Sequence, residues 1–282
     1  MPVAIVTDST CDIDAATAAG LGVDVVPLFV LFGEQRYADG SELTRADFYR
    51  KLKHEKRLPT TSQPTSKMFE QTFARHVAAG RDIVCVVLSR TFSGTINAAR
   101  AAAEQFPAAA IHLIDSQTVA AGLSLQVRRA ATLARDGASV EEVLRSLEHD
   151  RETQHAFATL PDLSHAVRTG RIGRAAAMVG TLVKIHPVFR IVNGRIEHEA
   201  QVRTLGRAQE VMIAATLRTL PDPSAARIEV MHAAAPEAAM HLRERVRDKL
   251  GVVPQYLGLS EAGPVLAVHA GVGAIGIFSV GA

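Results

Sequence analysis

Short apolar runs alternate with amphipathic segments through the first half of the chain, and this alternation restricts the fold more than any other feature. The runs "VAIVTDS", "DIVCVVLS" and "AAIHLIDS" have the length and composition of buried strands. The second and third are followed by the helix-like segments "GTINAARAAAEQF" and "TVAAGLSLQVRRAATLARDG". Repeated strand–helix units are typical of a mostly parallel sheet covered by helices. Pro27, inside the further run "VDVVPLFVLF", indicates a sheet edge or a bend.

The second half, from about residue 155, has a different pattern. The segment "HAFATLPDLSHAVRTGRIGRAAAMVGTLV" is helical in character with glycine breaks, and "IHPVFRIVNGRIEHEAQV" is typical of a hairpin that turns at "NGR". The segment "VLAVHAGVGAIGIFSV" predicts two apolar strands joined by a Gly-rich turn. We therefore expect an α/β fold with two α/β domains, residues 1–155 with a mostly parallel sheet and residues 156–282 with a mixed sheet.

The composition excludes several classes of protein. The formal net charge is only +2 and tryptophan is absent, so we expect neither nucleic acid nor an anionic membrane surface as a partner. Cys11 and Cys85 are isolated, and Cys85 lies in the apolar run "IVCVV", so we expect neither a metal site nor a disulfide framework. The N-terminus has no leader-like pattern, and no apolar run reaches about 18 residues. These features predict a cytoplasmic protein of bacterial type without a transmembrane segment, and they leave the oligomeric state open.

Polar residues follow three of the predicted strands, at the point where each strand ends. They are "TDS" (7–9), "LSRTFSGT" (88–95) and "DS" (115–116). Open parallel sheets bind ligands outside the carboxyl ends of their strands. The clustering of hydroxyls at one edge predicts a site for an anion there.

Two stretches offer hydroxyl groups to such a site, and each has a simpler interpretation. Ser93 and the backbone N–H of Gly94 lie at the start of a predicted helix and suit an oxyanion, but serine is also a favoured helix cap that needs no ligand. In "LPTTSQPT" the two prolines hold Thr60 or Thr61 toward a site, or the stretch is a loop in which Ser62 or Thr65 caps the next helix.

Three further residues carry charge or titrate. Arg171 lies in "TGRIGR", and its planar guanidinium suits a carboxylate or phosphate. Arg203 precedes a predicted helix and is a weaker candidate than Arg171 for binding such an anion. His269, in "AVHAGVG", follows a predicted strand and is suited to anion binding or proton transfer.

The chain lacks the usual sequence marks of a catalyst or a nucleotide-binding protein. It has no G-x-S-x-G elbow, no HExxH and no P-loop, and no long helix follows "GVGAIG" as a dinucleotide fingerprint requires. This favours binding over catalysis and predicts no cofactor. Two alternatives stay open: a serine hydrolase or acyl transferase that uses Ser93 with His269, and a phosphocarrier that uses His269 or His186.

Seven motifs in order resemble those of the DegV family over nearly the full 282 residues. They are "TDS", "PTTSQPT", "SRTFSGTINAA", "IDS", "TGRIGR", "VKIHPVF" and "VHAGVGAIGIF". The resemblance implies two α/β domains with a ligand cleft between them that holds a long-chain fatty acid. It also implies similarity to the acyl-carrying subunit of bacterial fatty acid kinase. Such a subunit is not an enzyme on its own; it presents the carboxyl group to a separate ATP-binding kinase subunit, and the acyl phosphate feeds phospholipid synthesis.

The resemblance also implies roles for individual residues. A set of five is expected to bind the fatty-acid carboxylate: Thr61, Ser93, Gly94 through its N–H, Arg171 and His269. Arg203 matches a basic position that is associated with phosphoryl transfer or partner docking.

The apolar tail requires a tunnel, whose wall is expected in helix 96–103 and in four residues further along. These are Met178, Val179, Leu182 and Val183, and each also suits an ordinary core position.

Four positions depart from the family pattern: Thr169 stands where glycine is usual, His186 replaces a lysine, Ala270 a threonine and Val272 a proline. The missing hydroxyl at residue 270 removes one hydrogen bond expected on the carboxylate side.

Overall fold

The computed structural model describes residues 2–55, 57–172 and 185–281. Four strands form sheet I, namely β1 (Val3–Asp8), β2 (Val23–Val26), β6 (Asp82–Val87) and β7 (Ile111–Asp115). Their order is β2-β1-β6-β7, and every neighbouring pair is parallel. The predicted parallel sheet is therefore confirmed, with Pro27 directly after the edge strand β2.

Helices cover both faces of sheet I. They are α1 (Ala15–Leu21), α3 (Ser66–Ala78), α4 (Thr95–Ala103), α5 (Ala121–Arg135) and α6 (Val140–Thr153). Along β6, Val84 and Val86 pack into the core on the α5 side, whereas Ile83, Cys85 and Val87 pack on the α3–α4 side. A strand buried on both faces needs a continuous apolar run, which explains "IVCVV".

A small antiparallel sheet, sheet III, was not predicted from the sequence. It consists of β3 (Phe29–Phe32), β4 (Gln35–Ala38) and β5 (Thr60–Ser62), with α2 (Arg45–Leu52) between the last two in the chain. Val30 and Phe48 form one buried cluster with Val265 and Val268 from the far end of the chain. Sheet III therefore joins the two halves of the chain.

Six strands form sheet II, in the order β10-β9-β8-β13-β11-β12. They are β8 (Gln154–Thr159), β9 (His186–Val192), β10 (Arg195–Val202), β11 (Arg227–His232), β12 (Tyr256–Glu261) and β13 (Ile275–Val280). Within the described strands of sheet II, only β11 and β12 pair in parallel, so the expected mixed sheet is confirmed. Helices α8 (Leu205–Arg218) and α9 (Pro236–Leu250) pack on one face.

Two elements differ from the sequence-based expectation. The segment expected to be helical from residue 155 begins as the central strand β8, and helix α7 (Ser164–Thr169) follows only after a loop. The expected strand "VLAVHA" is helix α10 (Pro264–Ala270). Both runs are short and apolar, and periodicity does not separate helix from strand at that length. Pro264 at the first helical position was the available helix signal.

A buried ion cluster also joins the two halves. Asp150 of α6 is fully buried and bonds Arg129 of α5 at 2.9 Å and Arg227 of β11 at 2.6 Å. The boundary between residues 155 and 156 lies inside β8, since that strand begins at Gln154. The division of the chain at that point stays a prediction.

Candidate functional site

The polar ends of β1, β6 and β7 lie side by side because the three strands are neighbours in sheet I. Asp8 at the end of β1 accepts hydrogen bonds from the backbone N–H of Leu88 at 2.8 Å and from Thr10. Asp115 at the end of β7 accepts from Arg90 at 2.6 Å. The two carboxylates thus organise the loop that follows β6, which contains Ser93 and Gly94.

A pocket with hydroxyl groups among apolar side chains opens next to this loop, between the two halves of the chain. We call it the head pocket. Its lining comprises Thr10, Leu28, Thr61, Ser62, Gln63, Leu88, Phe92, Ser93, Gly94, Val119, Arg171, Ile196, Val265, Leu266 and His269. The structure therefore places all five expected carboxylate-binding residues around one cavity, and their role there remains a prediction.

Thr61 and His269 are in direct contact within the head pocket. The Thr61 hydroxyl lies 2.9 Å from Nε2 of His269, which joins β5 to α10 across 208 positions of the sequence. Burial, with a smaller effect from the Arg171 and His165 charges, lowers the pKa of His269 to about 4. The ring is therefore neutral at pH 7, and its buried Nδ1 has no hydrogen-bond partner among the described residues.

Ser93 does not cap the helix that follows it. The N-cap of α4 is Gly94, without a side-chain cap hydrogen bond, and the Ser93 hydroxyl lies 2.9 Å from that of Thr95. A Cβ added at Gly94 would lie 2.4 Å from Oε1 of Gln63, so glycine permits this close approach. The first backbone N–H groups of a helix have no partner within the helix, and Gly94 at this end of α4 lines the head pocket.

In the stretch "LPTTSQPT", neither Ser62 nor Thr65 caps the next helix through its side chain. Thr65 is the N-cap of α3 but makes no side-chain cap hydrogen bond, and Ser62 lines the head pocket. Thr61 is half-buried toward the pocket, whereas Thr60 is exposed. Of the two threonines considered from the sequence, Thr61 is therefore the one at the site.

The two arginines lie in different places. Arg171 has an exposed side chain at the head pocket and donates from Nη1 to the backbone oxygen of Thr169 at 2.5 Å. Arg203 is exposed between β10 and α8 and lines neither of the two pockets of the site. The structure thus separates Arg203 from the other five residues.

An apolar pocket continues from the head pocket beneath sheet II. We call it the tail pocket; it contains about 800 Å³ of empty space, including the solvent at its opening. Its floor is the face of sheet II opposite α8 and α9, where the small residues Ala156, Ala158 and Gly276 leave room above the strands and Met231 also lines the pocket.

The head and tail pockets share part of their walls. Both are lined by Val119, Arg171, Ile196, Leu266 and His269. The two pockets therefore adjoin each other, an arrangement that suits a molecule with a polar end and an apolar end.

The hairpin of β9 and β10 supplies one wall and is fastened to the opposite half of the chain. The backbone oxygen of Gly194 at its tip accepts hydrogen bonds from Ser89, at 3.1 Å, and from Thr91. Gly194 has φ +75°, and a Cβ there would lie 2.3 Å from Oγ of Ser89. The predicted "NGR" turn is thus also the docking point that holds Ile196 over both pockets.

Several expectations about the tunnel wall have a different outcome. Met178, Val179, Leu182 and Val183 lie outside the described residues. Helix α4 contains the whole expected wall segment 96–103, but it packs Ala98, Ala99 and Ala102 into the core with Phe69 and Phe73 and does not line the tail pocket. That part of the wall prediction is not supported, because the apolar face of α4 is needed to cover sheet I.

The positions that depart from the family pattern are spread around the site. Ala270 lines the tail pocket, while Val272 is 48% exposed. His186 is half-buried at the start of β9. A hydroxyl at residue 270 would therefore have faced an apolar wall.

Sequence reasoning missed Gln63, Ile196 and Leu266. Gln63 lies inside the quoted "PTTSQPT" motif, but nothing in the sequence shows that it packs on Gly94. Ile196 and Leu266 lie on elements whose facing directions depend on the tertiary fold. No residue pattern marks them as site residues.

Within residues 2–55, 57–172 and 185–281, no group of three or more His, Cys, Asp or Glu side chains is placed to hold a metal ion. In the same part of the chain, every helix is too short or too polar to cross a lipid bilayer.

Comparison with known proteins agrees with the sequence resemblance. The model of the DegV family, described as "Uncharacterised protein, DegV family", matches residues 2–281. A DegV domain-containing protein of Halalkalibacterium halodurans is 36% identical over 276 residues, 98% of this chain and 97% of the relative.

Solved structures are similar over almost the whole chain. A fatty-acid-binding DegV family protein from Thermus thermophilus is 30% identical, with a TM-score of 0.93 and coverage of 99% of both chains. A stearic acid-binding protein from Eubacterium ventriosum is 27% identical, with a TM-score of 0.90 and coverage of 98% of this chain and 97% of that one. The family match, the 36% identical relative and the shared fold together show that this chain belongs to the DegV family.

Proposed function

We propose that this protein binds a long-chain fatty acid, with the carboxylate in the head pocket and the hydrocarbon chain in the tail pocket. The observation that carries the proposal is the continuity of the two pockets through five shared residues. The fatty-acid-binding structures with the same fold support it.

The head pocket offers the donors that a buried carboxylate requires. An unpaired buried charge is strongly unfavourable, so hydroxyl and N–H groups must converge on it. Thr61 and Ser93 supply hydroxyls, Gly94 begins α4 with its free backbone N–H groups, and Arg171 supplies positive charge at the opening. Neutral His269 can carry its proton on Nε2 and donate it to the Thr61 oxygen, which leaves the Thr61 hydroxyl proton for the carboxylate.

The tail pocket supplies most of the affinity. Burying each CH₂ contributes roughly 0.8 kcal/mol, so a 16-carbon acid gains about 10 kcal/mol before the costs of ordering the ligand. The walls that surround this chain are almost entirely apolar side chains.

Lipid extraction and mass spectrometry of the purified protein test this proposal, together with titration of delipidated protein with palmitate. We expect a co-purified long-chain acid and tight palmitate binding. Hexadecanol, which has the same chain without the carboxylate, should bind more weakly. Absence of a co-purified acid together with no palmitate binding would contradict the proposal.

We further propose that the protein acts in the cytoplasm as the substrate-presenting subunit of a fatty acid kinase. An oxygen of the held carboxylate would attack the γ-phosphorus of ATP on the partner subunit, ADP would leave, and the acyl phosphate would feed phospholipid synthesis. Arg171, exposed at the head pocket, is available to that partner, and Arg203 is exposed away from the two pockets. The test is ADP release with palmitate and an ATP-binding fatty acid kinase subunit from a bacterium that carries this chain. Release that is the same without this protein would refute the proposal.

The alternative of a serine hydrolase receives no geometric support. An activated serine requires contact with its base, and the base requires a group that orients it. Here Ser93 pairs with Thr95, His269 pairs with Thr61, and Nδ1 of His269 has no carboxylate partner in the described part of the chain. Ester turnover by the isolated protein that is lost in Ser93→Ala would restore this alternative.

A further inference from the structure

Helix α10 carries Leu266 and His269 to both pockets, so the contacts that fix its first residues decide where these side chains lie. These contacts come from the opposite half of the chain. The backbone oxygens of Glu261 and Ala262, just before the helix, accept hydrogen bonds from Nε of Arg45 at 3.0 Å and from the Tyr49 hydroxyl at 3.2 Å.

Two buried aspartates, Asp12 and Asp39, also lie at the start of α10. Oδ1 of Asp12 accepts the backbone N–H of Gly263 at 3.0 Å. Asp39 accepts the Ser9 hydroxyl at 2.8 Å, and the backbone N–H of Val265 lies close enough to lower its pKa. Asp12 thus bonds the backbone just before Pro264, and Asp39 lies beside the same turn, with Oδ1 3.7 Å from where a Cβ of Gly263 would be.

The contact at Gly263 is specific to glycine. A Cβ at this position would lie 2.3 Å from Oδ1 of Asp12. Asp12 itself has φ +54°, in the left-handed region that non-glycine residues rarely adopt, at the end of a short 3-10 turn. The left-handed backbone at Asp12 and the absence of a side chain at Gly263 together allow the Asp12 carboxyl to reach residue 263.

The carboxyl pair accommodates negative charge poorly. Oδ2 of Asp12 is buried without a hydrogen-bond partner among the described residues. Burial, followed by the charge of Asp39, raises the pKa of Asp12 well above its usual value, and burial raises the pKa of Asp39 to about 7. The titratable and charged groups that face the pair are Asp8, Cys11, Arg45, Tyr49 and Glu261.

We propose that Asp12 and Asp39 are positioning residues: a carboxyl pair that holds α10, and with it His269 and Leu266, in the geometry that receives the ligand. The pair holds the start of α10 most firmly when at least one of the two carboxyl groups is protonated, because two buried carboxylates repel each other. This inference rests on the proposed fatty-acid binding, which it deepens.

The experiment compares Asp12→Ala and Asp12→Asn, with Asp136→Asn on the surface as the matched control. One measurement is the ring signal of His269 by NMR in delipidated protein, and the other is the dissociation constant of palmitate. Asp12→Ala should shift the His269 signal and raise the dissociation constant about tenfold, since it removes the acceptor for a buried N–H. Asp12→Asn keeps an acceptor oxygen and should restore both, which loss of packing alone would not predict.

A third variant tests the titration and covers failure of Asp12→Ala to fold. Asp39→Asn should reduce the change of palmitate affinity between pH 6 and pH 8 relative to wild type. An unchanged His269 signal and dissociation constant in Asp12→Ala, or an unchanged pH dependence in Asp39→Asn, would overturn the inference. If wild-type protein bound no palmitate, the proposed function would fail, while the His269 signal would still decide whether the aspartates position α10.

Discussion

Replacement of Ser93 by alanine tests whether the Ser93 hydroxyl binds the ligand or only supports the fold. Among the residues that the structure describes, the Ser93 hydroxyl has one side-chain hydrogen-bond partner, Thr95 at 2.9 Å, and it does not cap α4. Removing it leaves α4 capped as before by Gly94. The main structural effect is on the Thr95 hydroxyl, which is fully buried and loses its partner.

The expected magnitude follows from these contacts. A hydrogen bond to a charged group contributes about 1.5–3 kcal/mol, so Ser93→Ala should raise the dissociation constant of palmitate by about ten- to 150-fold. The loss of one neutral hydroxyl pair should lower the free energy of unfolding by only about 1 kcal/mol.

Isothermal titration with palmitate and urea unfolding of the ligand-free protein measure the two effects separately. Thr95→Val is the matched control, because it breaks the same hydroxyl pair and leaves Ser93 facing the pocket. We expect Thr95→Val to affect stability much more than affinity. An unchanged palmitate dissociation constant in Ser93→Ala, with a loss of stability equal to that of Thr95→Val, would refute the assignment of Ser93 to the carboxylate.

Three further outcomes follow from the geometry. Gly194→Ala should lower the free energy of unfolding, measured in urea, by at least about 1 kcal/mol more than Gly137→Ala. Both glycines have positive φ, but only a Cβ at Gly194 would meet a neighbouring atom, so equal losses would contradict the docking of the hairpin tip. Burial raises the pKa of Asp39 to about 7, so unfolding releases its proton and the free energy of unfolding of wild type falls as the pH rises from about 4 to 7. In Asp39→Asn this free energy should fall less over the same range. Parallel curves of unfolding free energy against pH would count against the raised pKa of Asp39. His269 should titrate near its pKa of about 4 by NMR, and Arg171→Ala should raise that pKa because it removes a nearby positive charge; a midpoint near 6.5 in wild type would show that the ring is not buried as described.

Local chemistry made several elements predictable from the sequence. The Asn193–Gly194 turn follows from the need for positive φ at both residues, and both have it, at +49° and +75°. The polar ends of β1, β6 and β7 meet because parallel strands end at one edge. Sequence reasoning therefore located the region of the head pocket and most of its hydroxyl groups.

The errors concern short apolar runs and long-range contacts. "HAFATL" and "VLAVHA" are both short and apolar, yet the first lies in β8 and the second in α10, because the surrounding fold decides the conformation of such runs. The contact between Thr61 and His269 joins positions 208 residues apart, and no local propensity encodes it. The resemblance to a known family named both residues but gave no reason for their proximity.

The shared wall of the two pockets has an evolutionary consequence. Ile196 and Leu266 border the head and tail pockets at once, whereas Ser93 borders only the first and Met231 only the second. A change of side-chain volume at Ile196 or Leu266 therefore alters both ends of the cavity together, and selection cannot adjust chain-length preference there without disturbing head-group geometry. Diversification of ligand preference among such proteins is expected to proceed through positions such as Met231, which are free of this double constraint.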